Sequence, residues 1–237
     1  MPRQVRSKAT RRKILDAAIE VFGEVGYAAA GWGAIIERTG MTKGALYHHF
    51  DSKESLASDI LMEGSDSLLT AFGNVCGSSS PGLENLLHGA FTIVEVLNSD
   101  KSVRTAEQLA SALSGLNEAA ARFYADLAAK IAEEARRAIR EGDLRQDVDP
   151  EVLSEFLVGA MFGTRLVFNA IARRDPNRGV PNDIAGRLRQ ILELLLPGTV
   201  TEASLPYFRQ FLGREAMRHA PAIAARPDDD PMEPGNG

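Results

Sequence analysis

Apolar residues recur along this chain at intervals of three and four, and no segment alternates apolar with polar positions as a half-buried strand does, so the pattern predicts an all-α protein. The first helix is expected from about Lys8 to Glu24, with Ile14, Ala18, Phe22 and Val25 facing a core and Gly26 just past its end. A short helix over Trp32–Thr39 follows, with Trp32, Ile35 and Ile36 at helical spacing, then a turn at Gly40-Met41 and a further helix from Thr42 to Phe50. At about 100° per residue, Lys43, Gly44, Tyr47 and His48 share one side of that last helix while Ala45, Leu46, His49 and Phe50 share the other. The second side grips a core. The first offers a cation, a phenol, an imidazole and a residue without a side chain, a mixture suited to base edges and phosphates at close approach. Two short helices across a glycine turn make a helix-turn-helix, and Thr42 stands where an N-cap belongs.

Beyond it, Asp51-Ser52-Lys53-Glu54 has the spacing of a capping box and opens a helix from about Ser52 to Asn74. Its Leu56, Ile60, Leu61, Leu68, Leu69 and Phe72 must pack into whatever follows, so this helix belongs to both halves of the chain. Gly64 in its middle costs about 1 kcal/mol relative to alanine and signals either close packing or a point of bending. Cys76 to Gly82 reads as a linker. Helices are then expected over Leu83–Asn98, Lys101–Leu113 and Leu116–Glu141, the last with Phe123, Tyr124, Leu127 and Ile131 inward and Gly142 as its stop. Asp149-Pro150 supplies an N-cap and N1 proline for a helix over Pro150–Arg173. A further helix spans Asn182–Leu196, closed by Pro197-Gly198, and one more covers about Glu202 to Arg218.

The helix from Pro150 has almost no polar side: Leu153, Phe156, Leu157, Met161, Phe162, Leu166, Val167 and Ile171 surround it. A helix apolar all round is buried on several sides. Its second face is therefore expected to meet another copy of the chain, in a twofold four-helix interface over about residues 150–196; a large monomeric core is the alternative. Two copies would hold two reading helices over half-sites about 34 to 36 Å apart. The organisation expected is an arm and helix-turn-helix DNA-binding domain over 1–53, a helical effector-binding and dimerisation domain over 54–218, and a disordered tail over 219–237, where proline and aspartate accumulate.

The net charge of −5 argues against a nucleic-acid partner until the charge is located. Through Lys53 there are nine basic against five acidic residues, a net +4, and the rest has 18 against 27, a net −9. The first thirteen residues hold six basic side chains and no acid. Phosphate attraction is thus confined to one end, where residues 1–7 are expected to form a mobile arm that brings Arg3 and Arg6 to DNA. Lys43 is assigned to a guanine edge or phosphate, Thr42 and Tyr47 to phosphate, His48 to a base or phosphate, Gly44 to close approach, and Lys53, near a helix N-terminus, to phosphate.

Cys76 is the only cysteine, which excludes an internal disulfide and a cysteine-based metal cluster. No cofactor or metal is expected. The apolar residues near the N-terminus are interrupted by Asp16, Glu20 and Glu24, so no signal peptide or membrane span is read there and a cytoplasmic protein is expected. An enzyme is the competing class, but His48 and His49 diverge by about 100°, and neither HExxH nor a phosphate-binding glycine loop occurs. For the body, His88, Gln108, Phe123, Tyr124, Phe162 and Thr164 are candidates to line an apolar effector cavity with a few polar groups. A body that only dimerises, without ligand, is the third reading.

Ile14-Leu15, Ala17-Ala18, Phe22, Gly26-Tyr27, Ile35, Gly40, Thr42-Lys43-Gly44, Leu46-Tyr47, His49-Phe50 and Ser52-Lys53-Glu54 together resemble the N-terminal domain of tetracycline-repressor (TetR) family regulators. Pro2-Arg3-Gln4, the segment Thr42 to Phe50, and Leu144 to Pro150 further resemble the branch of γ-butyrolactone-type autoregulator receptors. The resemblance implies a dimeric regulator of transcription on a pseudo-palindromic duplex operator, released by a small apolar effector for which a butyrolactone-like molecule is a candidate. That branch carries a tryptophan in its pocket near mid-chain, whereas the sole tryptophan here is Trp32.

Overall fold

Helix ends fall where small polar residues and glycines can satisfy the backbone groups that a helix leaves open. The computed structural model describes residues 2–77, 79–174 and 184–219. They form α1 (Pro2–Ala29), α2 (Trp32–Thr39), α3 (Lys43–Tyr47), α4 (Lys53–Val75), α5 (Gly82–Ser99), α6 (Lys101–Leu113), α7 (Glu118–Glu141), α8 (Pro150–Arg174), α9 (Ile184–Thr199) and α10 (Leu205–Arg218). Thr42, Ser52, Asp100 and Asn117 each accept a backbone N–H of the helix they precede, and Asp149 Oδ1 accepts from Glu151 and Val152. Among the described residues the only strand-like pairing is an isolated antiparallel bridge between Leu144 and Val200, so the all-α expectation holds.

Several boundaries differ from the sequence reading, each for a local reason. The first helix starts at Pro2, so residues 2–7 are its opening turns rather than a free arm; nothing in Gln4 to Thr10 breaks a helix and Pro2 suits a first turn. Gly26 interrupts it at φ 78°, as expected of a stop, yet one further turn follows. Val25, expected in the core, is 54% exposed. The capping box of α4 is built by Ser52 and Ser55, one residue later than the Asp51–Glu54 pair, because Ser55 Oγ reaches back to the Ser52 amide. The start of α7 falls at Glu118 because Asn117, not Leu116, caps it. Pro197 lies inside the last turn of α9 rather than closing it. The expected tail beyond His219 and the expected start of the ninth helix at Asn182 lie outside the described residues.

One apolar core runs from Ile14, Phe22 and Leu46 in the first three helices through Leu56 and Phe72 of α4 to Phe208 and Leu212 of α10. Gly64 resolves in favour of close packing: a Cβ there would overlap the Ala106 Cβ of α6. The three-helix unit is therefore joined to the body twice. Besides α4, α1 packs on α6, where the Thr105 hydroxyl donates to Ile19 O at 3.3 Å, and Arg11 and Arg12 pair with Asp59 and Glu63 of α4.

Residues 76–77 and 79–82 are less a linker than pinned chain. Arg137 of α7 donates to Gly77 O and Ser80 O, Asn85 to Gly77 O, and the Gly82 amide to Glu141. Burial, with Glu134 nearby, pushes the half-buried Cys76 thiol up to about 12. Since the thiolate is the nucleophile, and its greater intrinsic reactivity only partly offsets its scarcity, native Cys76 at pH 8 is expected to react with a disulfide reagent about 10- to 100-fold more slowly than in the denatured chain. A stopped-flow comparison with and without denaturant checks this, and equal rates would contradict the buried setting.

Candidate nucleic-acid interface

Helix α3 is built from its turn upward. Gly40 takes the left-handed conformation (φ 64°) that ends α2, which a side chain would strain. Beside it, the buried Thr39 hydroxyl donates to Ile36 O at 3.0 Å and accepts the Met41 amide at 3.2 Å, fixing the turn. Thr42 Oγ1 then accepts the Ala45 amide at 3.3 Å. With α3 thus started, Leu46 is fully buried and Phe50 nearly so, while Lys43, Gly44, Tyr47 and His48 are exposed. The face division read from the sequence is the one observed.

Neighbours hold that exposed face in place. The Tyr47 ring lies 5.4 Å from the half-buried Trp32 ring, with Lys43 Nζ 5.7 Å from its centroid. Trp32 thus supports the reading face from behind. Arg38 of α2 pairs with Glu20 and Glu24 of α1, fixing the angle between those helices. His49 is half-buried under His48, and burial first, then the His48 and Arg11 charges, holds its imidazole below the ordinary value.

Lys53 takes a different position from the one expected. Its ammonium donates to Tyr27 O at 2.8 Å and Ala30 O at 2.9 Å and sits 4.3 Å above the Tyr27 ring, closing the joint between α1 and α4. Two of its three donors are therefore committed. Arg6 is exposed on the first turns of α1; the side chain of Arg3 is outside the described residues.

The six residues proposed for an effector do not converge. Phe123, Tyr124 and Phe162 do, as an edge-to-face cluster with centroids 5.0 to 6.1 Å apart. Tyr124 and Phe162 border a groove of about 610 Å³ between α7 and α8, floored by Ala128, Ala132, Val158 and Gly159 and closed at one end by the Arg136–Glu151 pair. Gln108 is exposed; its neighbour Glu107 points inward instead, one residue being a 100° rotation. His88 faces α10, away from the aromatic cluster. Thr164 lies on the opposite, α8–α9 side, in a second groove of about 650 Å³ with Val167, Ile171, Ile191 and Leu194.

The sequence reading missed Arg165, a cation 5% exposed within apolar α8. It donates to Asn98 Oδ1 at 2.8 Å and lies 3.8 Å from Glu107, while its Nε has no partner. Burial lowers the Arg165 value and raises that of Glu107, each partly offset by the other's charge. Tyr124 approaches the same place, its hydroxyl 3.5 Å from Glu107 O, so the body has a polar centre behind its aromatic cluster. A lone arginine in a run of apolar residues was the available signal.

Residues 14–60 match the family described as bacterial regulatory proteins, tetR family. The A-factor receptor protein of Streptomyces griseus is 29% identical over 221 residues, which cover 93% of this chain and 76% of that one. The HTH-type transcriptional regulator UidR of Escherichia coli is 27% identical over 170 residues, 68% of this chain and 82% of its own. Among solved structures, a gamma-butyrolactone receptor (ArpA-like protein) superposes with a TM-score of 0.74 at 25% identity, over 90% of this chain and 99% of the other. CprB of Streptomyces coelicolor, solved in complex with its biological operator sequence, superposes with a TM-score of 0.69 at 25% identity, with the same coverage.

Proposed function

We propose that the chain, whose residues 14–60 match the tetR-family model, is a DNA-binding transcriptional regulator of that family and acts as a homodimeric repressor released from its operator by a small apolar effector. The observation that carries this reading is the outward face of α3, with Lys43, Gly44, Tyr47 and His48 presented over a buried Leu46 and Phe50. Lys43 and His48 reach base edges or phosphates, Thr42 and Tyr47 phosphates, Gly44 admits the backbone closely, and Arg6 with Arg3 adds attraction that does not depend on sequence. Lys53 serves first as the fastener between α1 and α4. Lys43→Ala is expected to lower specific operator affinity by about 1 to 3 kcal/mol while leaving thermal stability within about 0.5 kcal/mol. An unchanged gel shift would remove Lys43 from the contacts.

Dimerisation is supported by the apolar side chains that the single chain leaves outside: Val152, Phe156, Leu166, Val167 and Ile171 of α8 and Leu194 of α9. Two such faces bring together two reading helices, matching a pseudo-palindromic operator.

For the effector, the α7–α8 groove with Tyr124, Phe162 and Ser154 offers an apolar bed with few polar groups. The gamma-butyrolactone receptor among the similar structures favours a compound of lactone type. A shift of α7 has a path to the DNA-binding unit, because Asn117 at its start donates to Ser58 Oγ of α4 at 2.9 Å. Release requires that the effector prefer one arrangement of these helices. Selection of duplexes from a random pool, followed by a screen for compounds that free the selected DNA, tests the reading. Selected DNA that no compound releases, with no compound raising the thermal midpoint, would favour a dimeric regulator without a small-molecule ligand.

A further inference from the structure

His88 on α5, and Glu215 and His219 one turn apart at the end of α10, converge although 127 residues of chain separate the first from the second. His88 Nε2 lies 3.9 Å from Glu215 Oε2, and His219 Nε2 lies 3.8 Å from the same oxygen. The three donor atoms all fall within 4.8 Å of one another. Glu215 is 2% exposed, yet its Oε2 has no hydrogen-bond partner, and neither has the buried Nε2 of His219. Two buried polar atoms left without partners 3.8 Å apart are costly unless something is bound between them.

Surrounding contacts set the chemistry of that point. His219 Nδ1 is 2.9 Å from Glu95 Oε2, a contact that favours the tautomer with its proton on Nδ1 and its lone pair on Nε2. The imidazole is held flat against Phe91, with centroids 5.6 Å apart and planes 15° apart. Glu215 Oε1 is occupied by Arg218 at 2.9 Å, which leaves Oε2 as the free oxygen. A histidine braced by a carboxylate, a second histidine and a buried carboxylate form a donor set of two nitrogens and one oxygen.

We propose that His88 Nε2, Glu215 Oε2 and His219 Nε2 bind one first-row divalent transition-metal ion, of which zinc is the representative, and so fasten the end of α10 to α5. Imidazole donors favour zinc and its neighbours over magnesium and calcium, which prefer oxygen throughout. Zinc bonds of about 2.0 to 2.2 Å place donor atoms of a tetrahedron about 3.3 to 3.6 Å apart, so the spacings of 3.9 and 3.8 Å at Glu215 need a closure of roughly 0.2 to 0.6 Å. The His88 side chain is 30% exposed, so water can reach the ion and complete its coordination. Glu215 and Glu95 offset the ion's charge, and the exposed Arg218 opposes it in part.

The test is a zinc titration of full-length, chelator-stripped protein, read by calorimetry and by thermal midpoint, with cobalt(II) absorption reporting coordination. One equivalent per chain, a raised midpoint, ligand-field bands of a nitrogen- and oxygen-bound ion, and no midpoint change with magnesium are expected. His88→Ala and His219→Ala should each abolish the stoichiometric site, with far-UV circular dichroism confirming the fold. Glu95→Gln, at an exposed position that touches no ion, should weaken binding about 10- to 100-fold through the bracing of His219. Absence of a stoichiometric site in the wild-type chain, or zinc binding unchanged in the folded His88→Ala and Glu95→Gln variants, overturns the assignment.

Discussion

Replacing both Val167 and Leu194 with glutamate is expected to leave the chain folded but monomeric, with operator affinity lowered at least about a hundredfold. Both side chains are exposed in the single chain, Val167 at 57% and Leu194 at 84%, so the substitutions disturb no packing within it. Two charges facing their symmetry mates across an apolar seam, however, are unpaired and desolvated, at a cost of several kcal/mol. A monomer offers one short reading helix to a half-site and forfeits the contribution of the second. Sedimentation velocity separates the outcomes. Loss of the dimer together with loss of operator binding supports the interface. A variant that sediments like the wild type would instead make the α8–α9 groove a ligand site or plain surface.

The second large effect concerns the underside of the reading helix. Leu46→Ala is expected to destabilise the protein by about 2 to 5 kcal/mol, because Leu46 is fully buried and α3 is too short to close the space it leaves. For a chain of this size that lowers the thermal midpoint by roughly 2 to 4 °C for each kcal/mol. Trp32 fluorescence should report the change early, since its ring rests on Tyr47. The contrast with Lys43→Ala is the informative part: one removes stability and binding together, the other binding alone. A Leu46→Ala protein with an unchanged midpoint would mean that α3 is not seated as described.

Why the sequence told so much about α3 and so little about the effector site is a matter of range. The face of α3 is set by helical periodicity, a capping threonine and a glycine turn, all within Gly40 to Phe50. Local rules of that kind survive folding. Gln108 against Glu107 shows the opposite case: Glu107 follows buried Val103 by four residues and so turns inward, but the cation that makes a carboxylate tolerable there, Arg165, lies far along the chain. The place of Lys53 near a helix start suggests a phosphate contact, but its long stem lets the ammonium fold back onto the carbonyls of Tyr27 and Ala30 at the end of α1. Gly64 left packing and bending open until Ala106 was seen against it. The segment 76–82 has the composition of a linker, yet its Gly77 and Ser80 carbonyls are held by Arg137 and Asn85, donors that its own residues do not announce.

The central claim is that the Lys43–Tyr47 face reads duplex DNA, once from each half of a dimer. Its most direct test is a fluorescence-anisotropy titration of the wild-type protein against a selected duplex and a scrambled one over a range of salt concentrations. Expected are two chains, or a multiple of two, per selected duplex, a preference of about a thousandfold or more over the scrambled DNA at physiological salt, and affinity that falls steeply as salt rises. Equal binding to both duplexes, or none to either at low ionic strength, would contradict it.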